Sequence, residues 1–363
     1  MRVLVVNSGS SSIKLRLLDA DDATVLADDL GTRGLKDPGA LGQLEGRDID
    51  AVGHRVVHGG RRFQRPAVIT DEVEEEIASL TELAPLHQPA ALEAIAVVRK
   101  ALPEVPHVAC FDTSFHSGMP DAVSTYAIPL PWRESFGVRR YGFHGLSHAY
   151  ASRRAAQMMS RPLKEVRIVT CHLGAGASLT AVKDGLSVDT TMGFTPLEGL
   201  VMATRSGSID PSIPLWLQTQ RGLTAAEVEE GLELHSGLTG LAGSADMRAI
   251  LSRAADDDGD AVLAREVYAH ALRAGIARMA AAMGGMDAVV FTGGVGERSP
   301  EIRSLAARGL EFLGLRLDDA RNRGAAGDAD ISQEGAPVRA LVVAAREDLE
   351  IARETRTLLQ RED

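Results

Sequence analysis

Cysteine is nearly absent. The 363-residue chain carries only Cys110 and Cys171, far apart and in no metal-binding or redox spacing, which argues against a disulfide framework. No apolar run approaches the ~18 to 20 residues needed to cross a bilayer. The first strand-like run, from Arg2, gives way to polar Asn7, Ser8 and Gly9 with no hydrophobic signal core behind it. A soluble cytoplasmic protein without a membrane partner is the expectation. Positive charge is in deficit: 39 basic against 50 acidic side chains give a net charge of −11, which argues against non-specific binding to nucleic acid or anionic lipid. An anionic small molecule stays open, because a local arginine cluster can oppose the global sign. What remains is ordinary globular composition, 45% hydrophobic and 25% charged, which excludes disordered, collagenous and coiled-coil chains. The length suggests about two domains.

Arg2 to Val6 is a short apolar run, followed by the polar Asn7–Ser12 segment and the alternating Ile13–Leu18, a strand–turn–strand pattern. A similar unit spans Val166 to Val182, with "VRIVT", the turn "HLGAGAS" and "LTAV". One such unit in each half suggests two related domains facing a cleft. Helical spacing marks Asp71–Leu83, with Thr70 or Asp71 as its cap, and also Gln88–Leu102, Leu146–Met159 and the long Ala261–Met283. Val105–Phe111 reads as a buried strand. "MDAVVFTGGVGERSP" reads as a strand, a glycine turn and Pro300 near a new helix start. Leu341–Ala344 is a last strand and Asp348–Leu359 a closing helix. The acidic run Asp256–Asp260 reads as a solvated loop, since the further ligands of a calcium loop are missing. Alternating strands and helices give an α/β class.

Three glycine- or serine-rich turns follow strand-like runs, at Asn7–Ser12, Gly174–Ser178 and Gly293–Glu297. Such backbones approach phosphate oxygens closely and direct amide hydrogens at them. The P-loop signature is absent, and Leu179 stands where a dinucleotide fingerprint wants its third small residue. Arg55 in "GHRVVHGG" and Arg205 in "TRSGSIDPS" are permanent cations with a planar fork suited to carboxylates and phosphates. At ~4 Å and an effective dielectric of 20, each opposed unit charge is worth roughly 4 kcal/mol before desolvation. His144 and His148 in "RRYGFHGLSH" would share a helical face; a zinc site would need further ligands, and a histidine donating to phosphate or carboxylate fits better. Asp112 in "ACFDTSFH" and Glu347 in "REDLEIA" follow strands, a placement that suits magnesium, whereas Asp348 reads as a helix cap. Together these residues point to magnesium-dependent phosphoryl transfer, by a kinase or phosphatase, on a small anion.

In order along nearly the whole chain, "VLVVNSGSSSIK", "GHRVVHGG", "LAPLHQP", "FDTSFH", "RRYGFHGLSH", "HLGAGAS", "VDTTMGFTPLEGL", "TRSGSIDP", "VFTGGVGERSP" and "EDLEIARET" resemble the acetate kinase family of short-chain carboxylate kinases. The resemblance implies two actin-like domains of the sugar kinase and heat-shock ATPase superfamily with a duplicated core. It places one at residues 1–114 plus 350–363 and a nucleotide-binding one at 115–349. It implies reversible transfer of the ATP γ-phosphoryl group to acetate, with propionate as another acceptor, in a homodimer using Mg²⁺ or Mn²⁺. By motif position, Asn7 would contact the transferred phosphoryl group and, with Glu347, the metal; Ser10, Ser12 and Lys14 would order the first phosphate hairpin. Arg55 and Arg205 would hold the acyl carboxylate and the moving phosphoryl group. His144 would stabilise the transition state, supported by His87 and His172, while Asp112 would align the reacting groups. Val57, Leu86, Phe143 and Pro196 would line the acyl pocket. Gly174, Gly176, Asp246, Met247, Arg248, Gly293, Gly294 and Gly296 would surround the nucleotide.

Several positions depart from the family pattern. Ala175 stands in place of an Asn, Gln88 in place of an Asn, Arg298 in place of an Asn, and Ala344-Ala345-Arg346 precedes Glu347 in place of a Pro-Thr-Asx run. The chain is also shorter than typical members, mostly between Leu18 and Ile49. The changes cluster on the phosphate-donor side, so two alternatives accompany the main reading. One is the same acyl chemistry with pyrophosphate or another donor. The other is a non-catalytic, actin-like sensor of nucleotide or acyl phosphate.

Overall fold

A computed structural model describes residues 1–9, 13–31, 34, 41–85 and 87–361. The chain divides into two units, residues 1–117, 143–150 and 346–363 in one and 118–142 and 151–345 in the other.

In the first unit, β1 (Val3–Ser8), β2 (Ile13–Leu18), β3 (Thr24–Asp29), β4 (Ala51–Val56), β5 (Ala67–Val68) and β6 (His107–Phe111) form one sheet in the order β3-β2-β1-β4-β6-β5. The central β1, β4 and β6 run parallel, and β2, β3 and β5 are antiparallel to their neighbours. A continuous apolar run suits a strand covered on both faces, and β1 is one. Its Leu4 and Val6 pack with Ala94 and Val98 of the helix Gln88–Ala101. Its Val3 and Val5 pack with Leu146, Ile351 and Ala352 on the opposite face. The closing helix Glu347–Leu359 lies so close to β4 that a side chain on Gly53 would meet Thr355 Oγ1 at 2.5 Å and Ile351 Cγ2 at 2.6 Å. Gly53→Ala is therefore expected to destabilise the protein by about 1–3 kcal/mol, the usual cost of overpacking a filled core. Urea unfolding measures it, and an unchanged midpoint would mean that the helix shifts freely.

In the second unit, β7 (Ile168–Leu173), β8 (Ala177–Lys183), β9 (Leu186–Thr190), β10 (Ala288–Thr292), β11 (Ala329–Asp330) and β12 (Arg339–Val342) are ordered β9-β8-β7-β10-β12-β11. With β7 equated to β1 and so on in chain order, sequence of neighbours and strand directions repeat those of the first sheet. The duplicated α/β core expected from the two hairpins is present. The long helix Gly259–Met283 buries Tyr268, Leu272, Ile276 and Met279 and sets Gly275 against Leu179 of β8.

Local rules explain most element ends. Thr70 caps the helix Asp71–Ser79 by accepting from the Val73 amide, and Asp258, inside the acidic run, caps Gly259–Met283 by accepting from Asp260 and Ala261. Two expectations need correction. Asp348 is not a cap: the closing helix starts one residue earlier, and the Asp348 carboxylate is drawn to the Arg346 guanidinium at 2.9 and 3.0 Å. The glycine turn after β10 is a short helix, Gly293–Arg298. Gly293 makes the corner with φ +77°, a conformation L side chains rarely adopt, and Pro300 opens the next helix as expected.

Candidate functional site

In an open α/β sheet, the carboxyl ends of parallel strands are where ligands bind. The first unit gathers its chemistry there. Asn7 lies near the end of β1, Arg55 near the end of β4, and Asp112 directly after β6. Glu347 opens the closing helix, 340 residues from Asn7, yet Asn7 Nδ2 donates to Glu347 Oε2 at 2.8 Å. Arg55 donates to Asp112 Oδ2 from Nε at 3.1 Å and Nη2 at 2.6 Å, and from Nη1 to Asn7 Oδ1 at 3.4 Å. Lys14 is the cross-strand partner of Asn7 on β2. Four segments far apart in sequence thus form one hydrogen-bonded cluster.

Burial pushes the Asp112 carboxyl up, against the Arg55 cation, which holds it down. Burial also works against the Arg55 charge, but Asp112 and Glu347 outweigh it and hold the guanidinium above its ordinary value. Asp112 Oδ1 is buried without a hydrogen-bond partner among the described residues. A buried, unsatisfied carboxylate oxygen is costly, so this atom marks where a donor or cation belongs. Magnesium is bound by one or two carboxylates, retained waters and substrate phosphates. No three described His, Cys, Asp or Glu side chains form a metal-holding group, as that mode of binding does not require one. Glu347, the Asn7 amide and the open oxygen of Asp112 fit such an ion.

Phe143 and Val57 are buried in the same unit, with the His58 ring edge-on to Phe143 at 5.5 Å between centroids. His144 has φ +56° and precedes the helix Gly145–Met158, whose first amide donates to the Asp112 carbonyl at 2.9 Å. His144 and His148 do not share a helical face, because His144 lies outside the helix; their ring centroids are 6.5 Å apart. His148 is buried against His116, which bonds the Phe143 carbonyl through Nε2 at 3.0 Å. Gln88, one of the departures, is fully buried: its Nε2 donates to the carbonyls of His58 and Ile77, and its Oε1 accepts from the His58 amide. His87 is the residue before that helix. Ser10, Ser12 and Leu86 lie outside the described residues.

The second unit carries the other group. His172 is the penultimate residue of β7, and Gly174 and Gly176 close the hairpin through a bond from the Gly174 amide to the Gly176 carbonyl at 2.9 Å. Gly293 abuts Leu173, the last residue of β7; a side chain there would lie 2.9 Å from the Leu173 carbonyl oxygen. Gly294 and Gly296 follow in the same short helix, and the Arg298 guanidinium rests against Gly294. The Ala203 amide donates to the Ala175 carbonyl at 3.1 Å, bringing the Arg205 loop to the hairpin tip. Arg205 donates to the Pro196 carbonyl at 3.3 Å and pairs with Glu233 at 3.2 Å. Burial pushes Arg205 down against the upward pull of Glu233. Asp246 caps the helix Met247–Ala255 and pairs with exposed Arg248, while Met247 is buried. His116 closes the block "FDTSFH" but has no role assigned by the sequence, and no signal in the sequence singles out Glu233, which stands neither beside a glycine turn nor at a strand end.

The Acetokinase family model matches residues 39–353. The chain belongs to the acetokinase family. An acetate kinase of Caldanaerobacter subterraneus is 45% identical over 398 aligned positions, covering 99% of each chain. One of Trichormus variabilis is 49% identical over 322, covering 88% of this chain and 79% of that one. Among solved structures, the acetate kinase of Porphyromonas gingivalis superimposes with a TM-score of 0.91 at 36% identity, covering 99% of both chains. A propionate kinase from Francisella tularensis gives 0.89 at 36% identity, over 98% and 99%. Acetokinase membership accounts for the duplicated sheets and for the order of the motifs. No described helix is long and apolar enough to cross a membrane.

Proposed function

We propose that this acetokinase-family chain is a cytoplasmic enzyme that reversibly transfers the γ-phosphoryl group of ATP to acetate, with propionate as a second acceptor, giving acetyl phosphate and ADP. The observation that carries this reading is the Asn7–Arg55–Asp112–Glu347 cluster at the parallel strand ends. A carboxylate is already ionised near neutral pH, so its oxygen attacks the γ-phosphorus in line without a general base. The chain then has to position reactants and neutralise charge. Arg55, held by Asp112, presents its cation to the acyl carboxylate, and Asp112 keeps the fork oriented. Phe143 and Val57 give the acyl tail an apolar wall. His144 donates to the equatorial oxygens of the phosphoryl group, and Arg205 opposes their charge. Asn7 and Glu347 would hold Mg²⁺, which when bound would neutralise charge on the nucleotide phosphates. The hairpin at Gly174–Gly176, with His172, receives those phosphates, and the glycines of the short helix Gly293–Arg298 leave room for adenosine, with Asp246–Arg248 flanking it. Lys14 supports the hairpin beside Asn7.

The relatives' names favour neither a pyrophosphate donor nor a sensing module. The test is a hydroxamate assay for acyl phosphate, with acetate, propionate and butyrate crossed against ATP and pyrophosphate, with and without Mg²⁺. Product from ATP and a short acid only when Mg²⁺ is added is the expected result; no product from folded protein under any combination overturns the reading.

Ala175 leaves the hairpin tip without a side-chain donor. Ala175→Asn is expected to lower the ATP KM about tenfold with little change in kcat, since a hydrogen bond to a charged group is worth roughly 1.5–3 kcal/mol. An ATP KM that does not move would detach position 175 from the phosphates. Assembly as a homodimer is supported by the helix Ser212–Arg221, which buries none of its residues and leaves Ile213, Leu215 and Trp216 about half exposed or more.

A further inference from the structure

We propose that Glu233 is the positioning residue for Arg205: it fixes the Nε edge of the guanidinium so that Nη2 is presented to the transferring phosphoryl group. The proposal rests on the reading of Arg205 as a phosphoryl-contacting residue.

Local chemistry argues against a carboxylate at position 233. It is the penultimate residue of the helix Ala225–Leu234, where the macrodipole disfavours negative charge. Glu229, four residues earlier on the same helix, adds like-charge repulsion. The side chain is also only 17% exposed, and burial pushes its carboxyl up. A residue that breaks three local rules at once is retained for something outside its own helix. Among the described residues the only charged group paired with it is Arg205, equally shielded, with Nε 3.2 Å from Glu233 Oε2.

Glu233 is not needed to hold the loop. The backbone from Met202 to Ser206 is already strapped to this end of the helix. Leu238 and Ser236 amides donate to the Met202 and Thr204 carbonyls at 2.9 Å each, the Ser206 amide donates to the Leu232 carbonyl at 3.1 Å, and Thr204 Oγ1 donates to the Glu233 carbonyl at 2.8 Å. The carboxylate is left to orient the guanidinium alone. With Nε on Glu233 and Nη1 on the Pro196 carbonyl and the Met202 sulfur, the plane of the fork is fixed. Nη2 has no partner among the described residues, and a planar guanidinium held on two nitrogens directs the third without further ordering.

The experiment compares Glu233→Gln, Glu233→Asp, Arg205→Ala and the Arg205→Ala/Glu233→Gln double variant of the full chain in the acetate–ATP hydroxamate assay, each with its thermal midpoint. Glu233→Gln is expected to lower kcat about 10- to 100-fold, the scale of a small misplacement of a catalytic group, with the acetate KM changed less than about threefold and the midpoint held. Glu233→Asp, which keeps the charge, recovers part of the loss. On the Arg205→Ala background Glu233→Gln has no further effect, because there is no guanidinium left to orient. Glu233→Gln at parental kcat beside a crippled Arg205→Ala overturns the proposal and leaves the role of Arg205 standing. An undiminished loss on the Arg205→Ala background also overturns it, as does a kcat loss that only tracks a fallen midpoint in both Glu233 variants. Parental turnover in Arg205→Ala overturns the underlying reading instead.

Discussion

Arg55→Ala is expected to lower kcat with acetate by about 10³-fold, the scale on which a single transition-state cation or donor acts in acyl and phosphoryl transfer. Arg55 makes both strong bonds to Asp112 Oδ2 and reaches Asn7, so its loss removes the cation at the centre of the cluster. It also leaves Asp112, 1% exposed, buried beside Glu347 with no counter-charge. Removing one partner of a buried pair costs about 3–5 kcal/mol when the other stays ionised; Asp112 escapes part of that by taking up a proton. The catalytic and structural losses separate with Arg55→Lys. Lysine keeps the charge but lacks the fork that spans Asp112 and Asn7 together, so stability is expected to recover more than turnover does. The measurement is kcat from acyl-phosphate formation on protein whose urea midpoint shows it folded. Near-parental turnover in folded Arg55→Ala would remove the role assigned to this residue.

Elements fixed by neighbours in the chain were legible in the sequence. The two hairpins, the Thr70 cap, Pro300 at a helix start and the long helix ending at Gly284 all follow from local sterics and hydrogen bonding. The glycine run after β10 reads as a turn because glycine is a poor helix former in isolation, whereas the φ +77° corner at Gly293 turns the strand directly into a helical turn. Asp348 reads as a cap for a related reason: an acidic residue before a helix and one in its first turn look alike until the position of Arg346 is known.

Relations across the sheet could not be read from the chain. The insertion of β4 between β1 and β6 puts Asn7, Arg55 and Asp112 on one edge, and nothing local to any of them says so; the motifs identified the residues, and the topology made them a cluster. Gly53 has the same character, since its lack of a side chain answers to Thr355 and Ile351, about 300 residues away by position. Gln88 stood out only as a departure, and its amide turns out to span His58 and Ile77 in a buried corner. Glu233 pairs with a residue that the motifs found without carrying a pattern of its own, and His116, inside the block "FDTSFH", bonds the Phe143 carbonyl that only the fold brings to it.

Acid is expected to unfold the first unit in a window set by buried histidines. Burial pushes His58 and His116 down to about 4, in the case of His116 against a hydrogen bond to the Phe143 carbonyl that favours the charged form. His54, stacked on His107 at 5.2 Å, is held well below the ordinary value by burial first and then by the charges of His107 and Arg99. These rings are neutral in the folded protein and titrate near 6.5 once unfolded. Between pH 6.5 and about 4 the unfolded chain therefore binds more protons, and stability falls as the pH falls. For His58 and His116 the gap is worth about 3 kcal/mol each at its full extent, by the linkage of pKa to free energy, against a total stability of roughly 5–15 kcal/mol for a typical domain. Ordinary carboxylates titrate at about 4, so the decline from pH 6.5 to 5 reports the histidines. Urea midpoints measured across that interval should drop steadily, with a slope of two or more protons taken up on unfolding. His116→Gln, which keeps a donor for the Phe143 carbonyl but cannot charge, should lower stability at pH 7 and flatten the slope by about one proton. Midpoints that stay level from pH 7 to 5 would mean that the buried rings are already protonated, or that the first unit opens without exposing them.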